Sequence, residues 1–326
     1  MSVYTTVTEA EMRAFTARFD LGPLHTFRGV EAGVENTTYF VTLGKCEAVL
    51  QIFEEQTADE IPFFIELNRR LGADQVPVAV PFADHHGERL HTLKSKPAVL
   101  FPRLQGSAIG TPTVFACQQI GDALGRMHKV SGGYSLHRTN HRWIEWWEGN
   151  IERVIDLVST PFDSLLREQI SRSRQFVEST AHLPSGLIHG DLFCDNALFH
   201  DGELTGIIDF YNACDGAFIF DLAVTVNDWC SLPSGRLDPD RAHALIRAYC
   251  LQRPITETEK DAWAGALETA ALRFWMLRLV ALARKREGGP QAPPHVKDPN
   301  DFLTILRARL NDPQRAIIDL ACSTTP

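Results

Sequence analysis

The stretch at 7–19 is polar and amphipathic and predicts a first helix. Three runs rich in β-branched and aromatic residues follow, "TFRGV", "TTYFVTL" and "EAVLQIFE". They are divided by a polar turn holding Gly33 and Asn36 and by a Gly44-Lys45 turn. Such runs bounded by turn formers predict an antiparallel meander. In "EIPFFIELNRRLGA" the apolar residues fall at helical spacing, with Gly72 placed to end the helix. "VAVPFAD" and "ERLHTLKSKPAVLFPRL" read as further strands. After "RLQGSAIGTP" the period changes: helices are predicted at 114–130, 143–157 and 164–180, and through most of the chain beyond Asp221. The segment from "LIHGDLFCDNALF" to "IIDF" is a strand-like island among them, and "GGPQAPP" at 288–294 reads as a loop. No internal repeat is present. The pattern predicts an α+β protein with two lobes: a small antiparallel β lobe, 1–104, and a larger mostly helical lobe, 105–326, with a connector near 101–106.

Length agrees with that division, since 326 residues exceed what one small core needs. A 44% hydrophobic and 22% charged composition fits a folded, cytoplasmic protein. The formal charge of −9 argues against a phosphate backbone as partner, so no nucleic acid is expected. The longest apolar tract, "TAALRFWMLRLVALA", carries Arg273 and Arg278 and is too short for a bilayer, so no membrane partner is expected either. No basic-then-apolar leader opens the sequence. Seven scattered cysteines without a C-x-x-C read as reduced core thiols. Oligomeric state is not legible.

The chemistry concentrates in "LIHGDLFCDNALFH", 187–200. Asp201-Gly202 is a two-residue hairpin signal, because a type I′ turn needs positive φ at both positions. That turn sets Asn196 opposite Ile207 and makes Asn196 and Asp209 a same-face diagonal pair, with Cα atoms roughly 7 Å apart. Two oxygens at that separation suit one Mg²⁺, whose ligand bonds are about 2.1 Å. Asp191 lies just ahead. An amide and a carboxylate for the metal, with a second carboxylate to orient an acceptor hydroxyl and take its proton, are what phosphoryl transfer requires. His189, Asp191 and Asn196 keep the spacing of the H-R-D-x-x-x-x-N loop, and Asp209-Phe210-Tyr211 stands where D-F-G would. Each piece alone has a plain explanation, as a solvated turn, a cap or a buried histidine. The conjunction carries the reading, with His189 as support for the loop.

On these residues the chain resembles the aminoglycoside phosphotransferase and choline kinase-like family, which shares the protein-kinase-like fold. "GVENTTYFV", "AVLQIFE", "HGDLFCDNALF", "IIDFYNAC", "DLAVTVNDWC" and "LRFWMLRL" are similar to its bacterial homoserine kinase branch. The resemblance extends over nearly the whole chain. It implies a kinase of threonine biosynthesis that moves the γ-phosphoryl of ATP to the hydroxyl of L-homoserine. Asp191 is then the base, and Asn196 and Asp209 the Mg²⁺ ligands. The turn from Gly29 through Gly33 and Asn36 to Thr37 covers the phosphates. Phe101, Arg103 and Leu104 form the connector that meets adenine, and Asp221 braces the loop, although Asp221 is also a good helix N-cap.

The kinase lysine on the third strand is replaced by Gln51, so Glu66 on the next helix has no charge to pair with. Arg28, Lys45, Lys94 and Lys96 are substitutes for it, each also readable as a solvated surface charge. A homoserine pocket needs an arginine for the carboxylate and an acid for the ammonium. Arg273 with Trp275, Tyr211, Asp215 and Asp228 are the candidates. Asp228 follows Asp221 by two helical turns and shares its face. Trp275 also reads as core, and the arginines of its helix as partners of acids nearby. A kinase of an aminoglycoside, choline or methylthioribose, or a catalytically silent nucleotide-binding regulator, remains as an alternative.

Overall fold

A computed structural model of the chain describes residues 4–30, 36–160, 162–288, 296–312 and 314–322. The chain divides into two units, Met1–Gln105 with Thr205–Ile208, and Gly106–Leu204 with Asp209–Pro326.

The first unit is built on β1 (Leu24–Gly29), β2 (Thr37–Leu43), β3 (Glu47–Ile52), β4 (His91–Leu93) and β5 (Lys96–Pro102). Their order is β1-β2-β3-β5-β4, with every neighbouring pair antiparallel. Strict alternation along β2 sends Thr37, Tyr39, Val41 and Leu43 inward. Tyr39, Val41 and Leu43 join Leu50, Ile52 and Leu100 in a core closed by Met12 and Phe15. Met12 and Phe15 belong to α1 (Glu9–Thr16), shorter than the predicted 7–19; Thr8 and Glu11 close a capping box that sets its start. In α2 (Ile61–Ala73), Gly72 lies inside the helix and does not end it. A Cβ there would stand 2.3 Å from Val80, so glycine is required by close packing. "VAVPFAD" is not a strand: only a bridge from Val78 to Ile207 forms, and Pro77 and Pro81 remove ladder donors. "ERLHTLKSKPAVLFPRL" divides into β4 and β5 at Lys94-Ser95, both at positive φ.

The second unit is helical: α3 (Val114–Ser131), α4 (Ile144–Val154), α5 (Phe162–Ser179), α6 (Phe218–Trp229), α7 (Pro239–Gln252), α8 (Glu257–Glu287), α9 (Pro299–Asn311) and α10 (Arg315–Cys322). Helices α3 and α7 approach closely because Gly121 and Gly125, one turn apart, face Leu245 and Tyr249. A Cβ at Gly121 would meet the Leu245 carbonyl at 2.0 Å. Every residue of α6 except Asp228 is buried, and α8 runs beside it.

The second unit also holds β6 (Ser185–Ile188) and β9 (Cys214–Ala217), paired antiparallel, and β7 (Ala197–His200), which forms a hairpin with β8 (Glu203–Ile207). Asp201 and Gly202 at its tip have φ of 50° and 84°, as a type I′ turn demands. The cysteine expectation fails at one pair: Cys250 on α7 and Cys322 on α10 form a disulfide, Cα atoms 6.0 Å apart across 72 residues of sequence. Sequence could not reveal this, because the partners meet only when α10 folds back on α7. Among the described residues no helix is long and apolar enough to cross a membrane. The "GGPQAPP" loop falls largely outside the described residues, and Gly33 wholly so.

Candidate active site

Strand pairing assembles the site. Ile188 at the end of β6 lies opposite Cys214 at the start of β9. The chain leaving β6, 189–193, and the chain entering β9, 209–213, therefore run side by side. Asp191, Asp209 and Asn212 belong to these two segments. Asn212 donates from Nδ2 to Asp191 Oδ2 at 3.2 Å, while Arg142 Nη1 reaches Asn212 Oδ1 at 3.4 Å. Arg138 Nη1 donates to the carbonyls of Tyr211 and Ala213, at 3.2 and 3.0 Å, and clamps the turn that carries Asn212. Gly190 has φ of +75°, and a Cβ there would stand 3.0 Å from the Asn212 carbonyl. Glycine lets the two segments close to this distance.

Asn196 ends the 3-10 turn Cys194–Asn196 and donates from Nδ2 to the Asp191 carbonyl at 2.8 Å. With its amide nitrogen so committed, Oδ1 is the atom it has left for a cation. Asp209 sits in the left-handed region, φ 65° and ψ 58°, between β8 and the 3-10 turn Phe210–Asn212. Aspartate tolerates that conformation better than most residues. Among the described residues no group of three or more His, Cys, Asp or Glu is arranged to hold a metal. A metal held by Asn196 and Asp209 would take most of its oxygen ligands from phosphates and water, the habit of Mg²⁺ at nucleotide sites.

The loop itself is held from below by α6. Asp221 is wholly buried and accepts from the backbone N–H of His189 at 2.8 Å and of Gly190 at 2.7 Å. It lies in the first turn of α6, and its carboxylate goes to the loop rather than to its own helix end, so the capping explanation is set aside. His128 of α3 brings Nε2 to 3.0 Å from the same carboxylate, and its Nδ1 lies 2.8 Å from Tyr249 Oη. Arg253 then bonds Tyr249 Oη and Glu259, extending the buried chain to the start of α8. Burial alone would raise the Asp221 pKa. The His128 hydrogen bond and the loop N–H groups outweigh that and hold it below the ordinary value. Burial lowers the His128 pKa, so the pair is a carboxylate and a neutral imidazole.

Asp228, expected to meet an ammonium group, has a different occupation. Its Oδ2 accepts from Cys194 N–H at 2.8 Å, and burial pushes its pKa up. Trp229 Nε1 donates to the Leu192 carbonyl at 3.0 Å. One helix thus grips the loop at both ends, through Asp221 and Asp228 two turns apart on one face. His189 is fully buried against Phe210, with ring centroids 4.6 Å apart, and its Nδ1 accepts from Asp191 N–H at 3.3 Å. Asp215 accepts from Arg138 N–H at 3.1 Å and faces His137. Trp275 is buried in α8, as is Arg273, whose guanidinium lies near Gly190. Arg138, Arg142 and Asn212 escaped sequence reasoning. The signal for them was present in "HRTNHRW" and "DFYNAC", but nothing local says that these segments meet.

In the first unit, Gly29 pairs with Tyr39, and Asn36 Oδ1 accepts from Glu54 N–H. Thr37 is buried, accepting from Tyr4 and Thr5 N–H and donating to Glu54, which also holds Lys96. Gln51 is half-buried between Thr38 and Val99. Glu66 is not its partner: Arg69 and Arg70, one turn on, hold Glu66 at 2.7 Å each and lower its pKa to about 2. Lys45 pairs with Asp20, and Lys94 with Glu11. Arg28 and Arg103 both lie over the Phe40 ring, at 5.0 and 4.1 Å, and Arg103 also pairs with Glu47. Phe101 pairs with Val49, and Leu104 packs on Gly206.

An antiparallel β unit, a larger helical unit and an H-x-D-x-x-x-x-N loop followed by an aspartate define a phosphotransferase. The chain belongs to the phosphotransferase enzyme family (APH), which it matches over residues 26–259. Among curated proteins it is 39% identical to a homoserine kinase of Pseudomonas aeruginosa (strain LESB58), over 95% of this chain and 97% of that one. It is 38% identical to a homoserine kinase of Burkholderia vietnamiensis (strain G4 / LMG 22486), over 95% and 96%. Among solved structures it resembles the amicoumacin kinase hAmiN in complex with AMP-PNP, Ca2+ and Ami, with a TM-score of 0.67 at 15% identity, covering 96% and 95%. The expected α+β, protein-kinase-like fold is borne out.

Proposed function

We propose that the chain transfers the γ-phosphoryl group of ATP to the side-chain hydroxyl of L-homoserine, giving O-phospho-L-homoserine and ADP in the cytoplasm. The observation that carries this reading is the similarity to homoserine kinases over nearly the full length, together with Asp191 held at its carboxylate and on both sides of its backbone. Asp191 orients the hydroxyl and takes its proton as oxygen attacks the γ-phosphorus, and the bond to the β,γ-bridging oxygen breaks toward ADP. Asn196 and Asp209 would hold Mg²⁺, which when bound would neutralise charge on the phosphates. Gly29, Asn36, Thr37, Gln51, Phe101, Arg103 and Leu104 lie along the nucleotide-binding unit. Thr37 serves there through its buried hydrogen bonds rather than by touching phosphate. Gly33 is placed with them on sequence alone. Tyr211 and Asp215 border the acceptor, Asp215 as the acid for its ammonium group.

ADP release from Mg-ATP with L-homoserine, choline, kanamycin and methylthioribose tests the reading. Turnover with homoserine alone is expected. Turnover with another acceptor, or ATP binding without any turnover, would overturn it; the latter is what a silent regulator with Gln51 in place of the lysine would give. Asp191→Asn should keep the fold and lose about 10²–10⁴-fold in kcat, the usual worth of a general base.

A further inference from the structure

Helix α8 carries two arginines five residues apart, and they have different surroundings. Arg278 donates from Nη1 to the Asp298 carbonyl and to Asp301, both at 2.7 Å, and covers the Phe302 ring. It is an ordinary surface pairing. Arg273 is 1% exposed, and its Nε and Nη1 have no hydrogen-bond partner. Its guanidinium carbon lies 5.9 and 5.7 Å from the Phe220 and Phe274 ring centroids. Asp191 lies within electrostatic reach, but it leaves the two buried donors unmatched, a costly arrangement that a hydrogen-bonding anion arriving from outside would relieve.

The place is specific. Arg273 Nη2 lies 3.6 Å from where a Cβ on Gly190 would stand, and the Asn212 carbonyl is 3.0 Å from the same point. It therefore borders the residue just before Asp191. Arg142 reaches the same Asn212 side chain that holds Asp191. Arg138 occupies the backbone of that turn. Three arginines converge on the segment beside the proposed base, while Asp228 is turned away to Cys194.

We propose that Arg273, together with Arg142, receives a carboxylate of the acceptor substrate and so selects an amino-acid alcohol. The inference rests on the kinase reading above and deepens it. Choline is a cation without a carboxylate and aminoglycosides are polycations, so neither offers an anion for the two unmatched donors of Arg273. A homoserine carboxylate accepts from a guanidinium in a fork that fixes the rest of the molecule, including the hydroxyl.

The test compares L-homoserine with 3-amino-1-propanol, which differs from it only in lacking the carboxylate. ADP release is measured for the intact chain, for Arg273→Gln and for Arg142→Gln, with Mg-ATP saturating. The intact chain should favour homoserine in kcat/KM by about 100-fold or more, the scale of losing a charged hydrogen-bonded partner. In each variant that preference should shrink at least tenfold, chiefly through KM for homoserine, with KM for ATP unmoved. Equal use of both acceptors by the intact chain would overturn the proposal without reference to any variant. So would variants that lose kcat on both acceptors alike and keep the preference, because that is the mark of a group that only positions Asp191. Should Arg273→Gln fail to fold, Arg142→Gln and the intact chain still decide. No turnover of homoserine at all would sink the kinase reading itself, and this inference with it.

Discussion

Asp221→Asn isolates the grip of α6 on the loop that carries Asp191. The carboxylate accepts three hydrogen bonds in a fully buried setting: two from His189 N–H and Gly190 N–H, and one from the His128 imidazole. Asparagine has one acceptor oxygen. Placed to serve His189 and His128 through Oδ1, it sets an NH2 group against Gly190 N–H. One bond to a charged acceptor is lost, worth about 1.5–3 kcal/mol, and the other two fall to neutral strength. Together these come to about 3–5 kcal/mol, the range for breaking a buried charged network. Asp228→Asn is the control. Burial already pulls Asp228 toward its neutral form, and in the described structure its hydrogen bonds come from one residue, the backbone N–H and thiol of Cys194, so about 1 kcal/mol is expected. Urea unfolding gives both numbers. The loop should also shift in Asp221→Asn, and a displacement near 1 Å lowers kcat by about 100-fold. An Asp221→Asn protein within about 0.5 kcal/mol of the parent, or no less stable than Asp228→Asn, would refute the assignment of the grip to this carboxylate.

The neutral His128 makes stability depend on mild acid. Its folded pKa lies below the unfolded value of about 6.5, so in that window the unfolded chain binds a proton that the folded chain does not. Stability should therefore fall as pH drops below about 6.5, by up to about 1.4 kcal/mol per unit from this group, and less steeply in His128→Gln. Asp221, whose folded pKa is depressed, adds stability that is lost only at still lower pH, below about 3.9. A flat urea midpoint between pH 7.5 and 5.5 would contradict the pairing. Gly190→Ala forces a side chain into positive φ against the Asn212 carbonyl. It should cost at least about 1–2 kcal/mol and more than tenfold in kcat, whereas Gly202→Ala, also at positive φ but with open space around it, should cost similar stability and leave kcat unchanged. Reducing the Cys250–Cys322 bond releases a loop of 72 residues in the unfolded chain and should lower stability by about 2–4 kcal/mol, read as a shift of the urea midpoint with dithiothreitol.

The elements that were legible are those whose pattern is local. Alternation gave β2 and β3, the Asp201-Gly202 pair gave the hairpin, and helical spacing gave α3 and α5 within a residue or two of their observed ends. The same local logic placed the end of α2 but not the role of Gly72, which admits Val80 from elsewhere in the chain. Asp191, Asn196 and Asp209 could be proposed together from sequence because they lie within 19 positions of one another and frame a turn with a fixed geometry. Arg142 and Asn212 were not, since they are 70 residues apart and Asn212 comes beside Asp191 through the β6-β9 pairing. That Asp228 takes the Cys194 N–H was not legible for a related reason. Its helical face was right, but a face does not say whether a carboxylate looks toward a ligand or toward a backbone.

Helix α6 holds the loop almost entirely by main-chain atoms: the N–H of His189, Gly190 and Cys194 and the carbonyl of Leu192. Those atoms are common to every amino acid. The grip is therefore indifferent to which side chains the loop displays, glycine at 190 excepted. A lineage can rewrite the loop's outward residues to suit a new alcohol while the scaffold beneath stays unaltered, much as a vice accepts any workpiece whose edge fits its jaws.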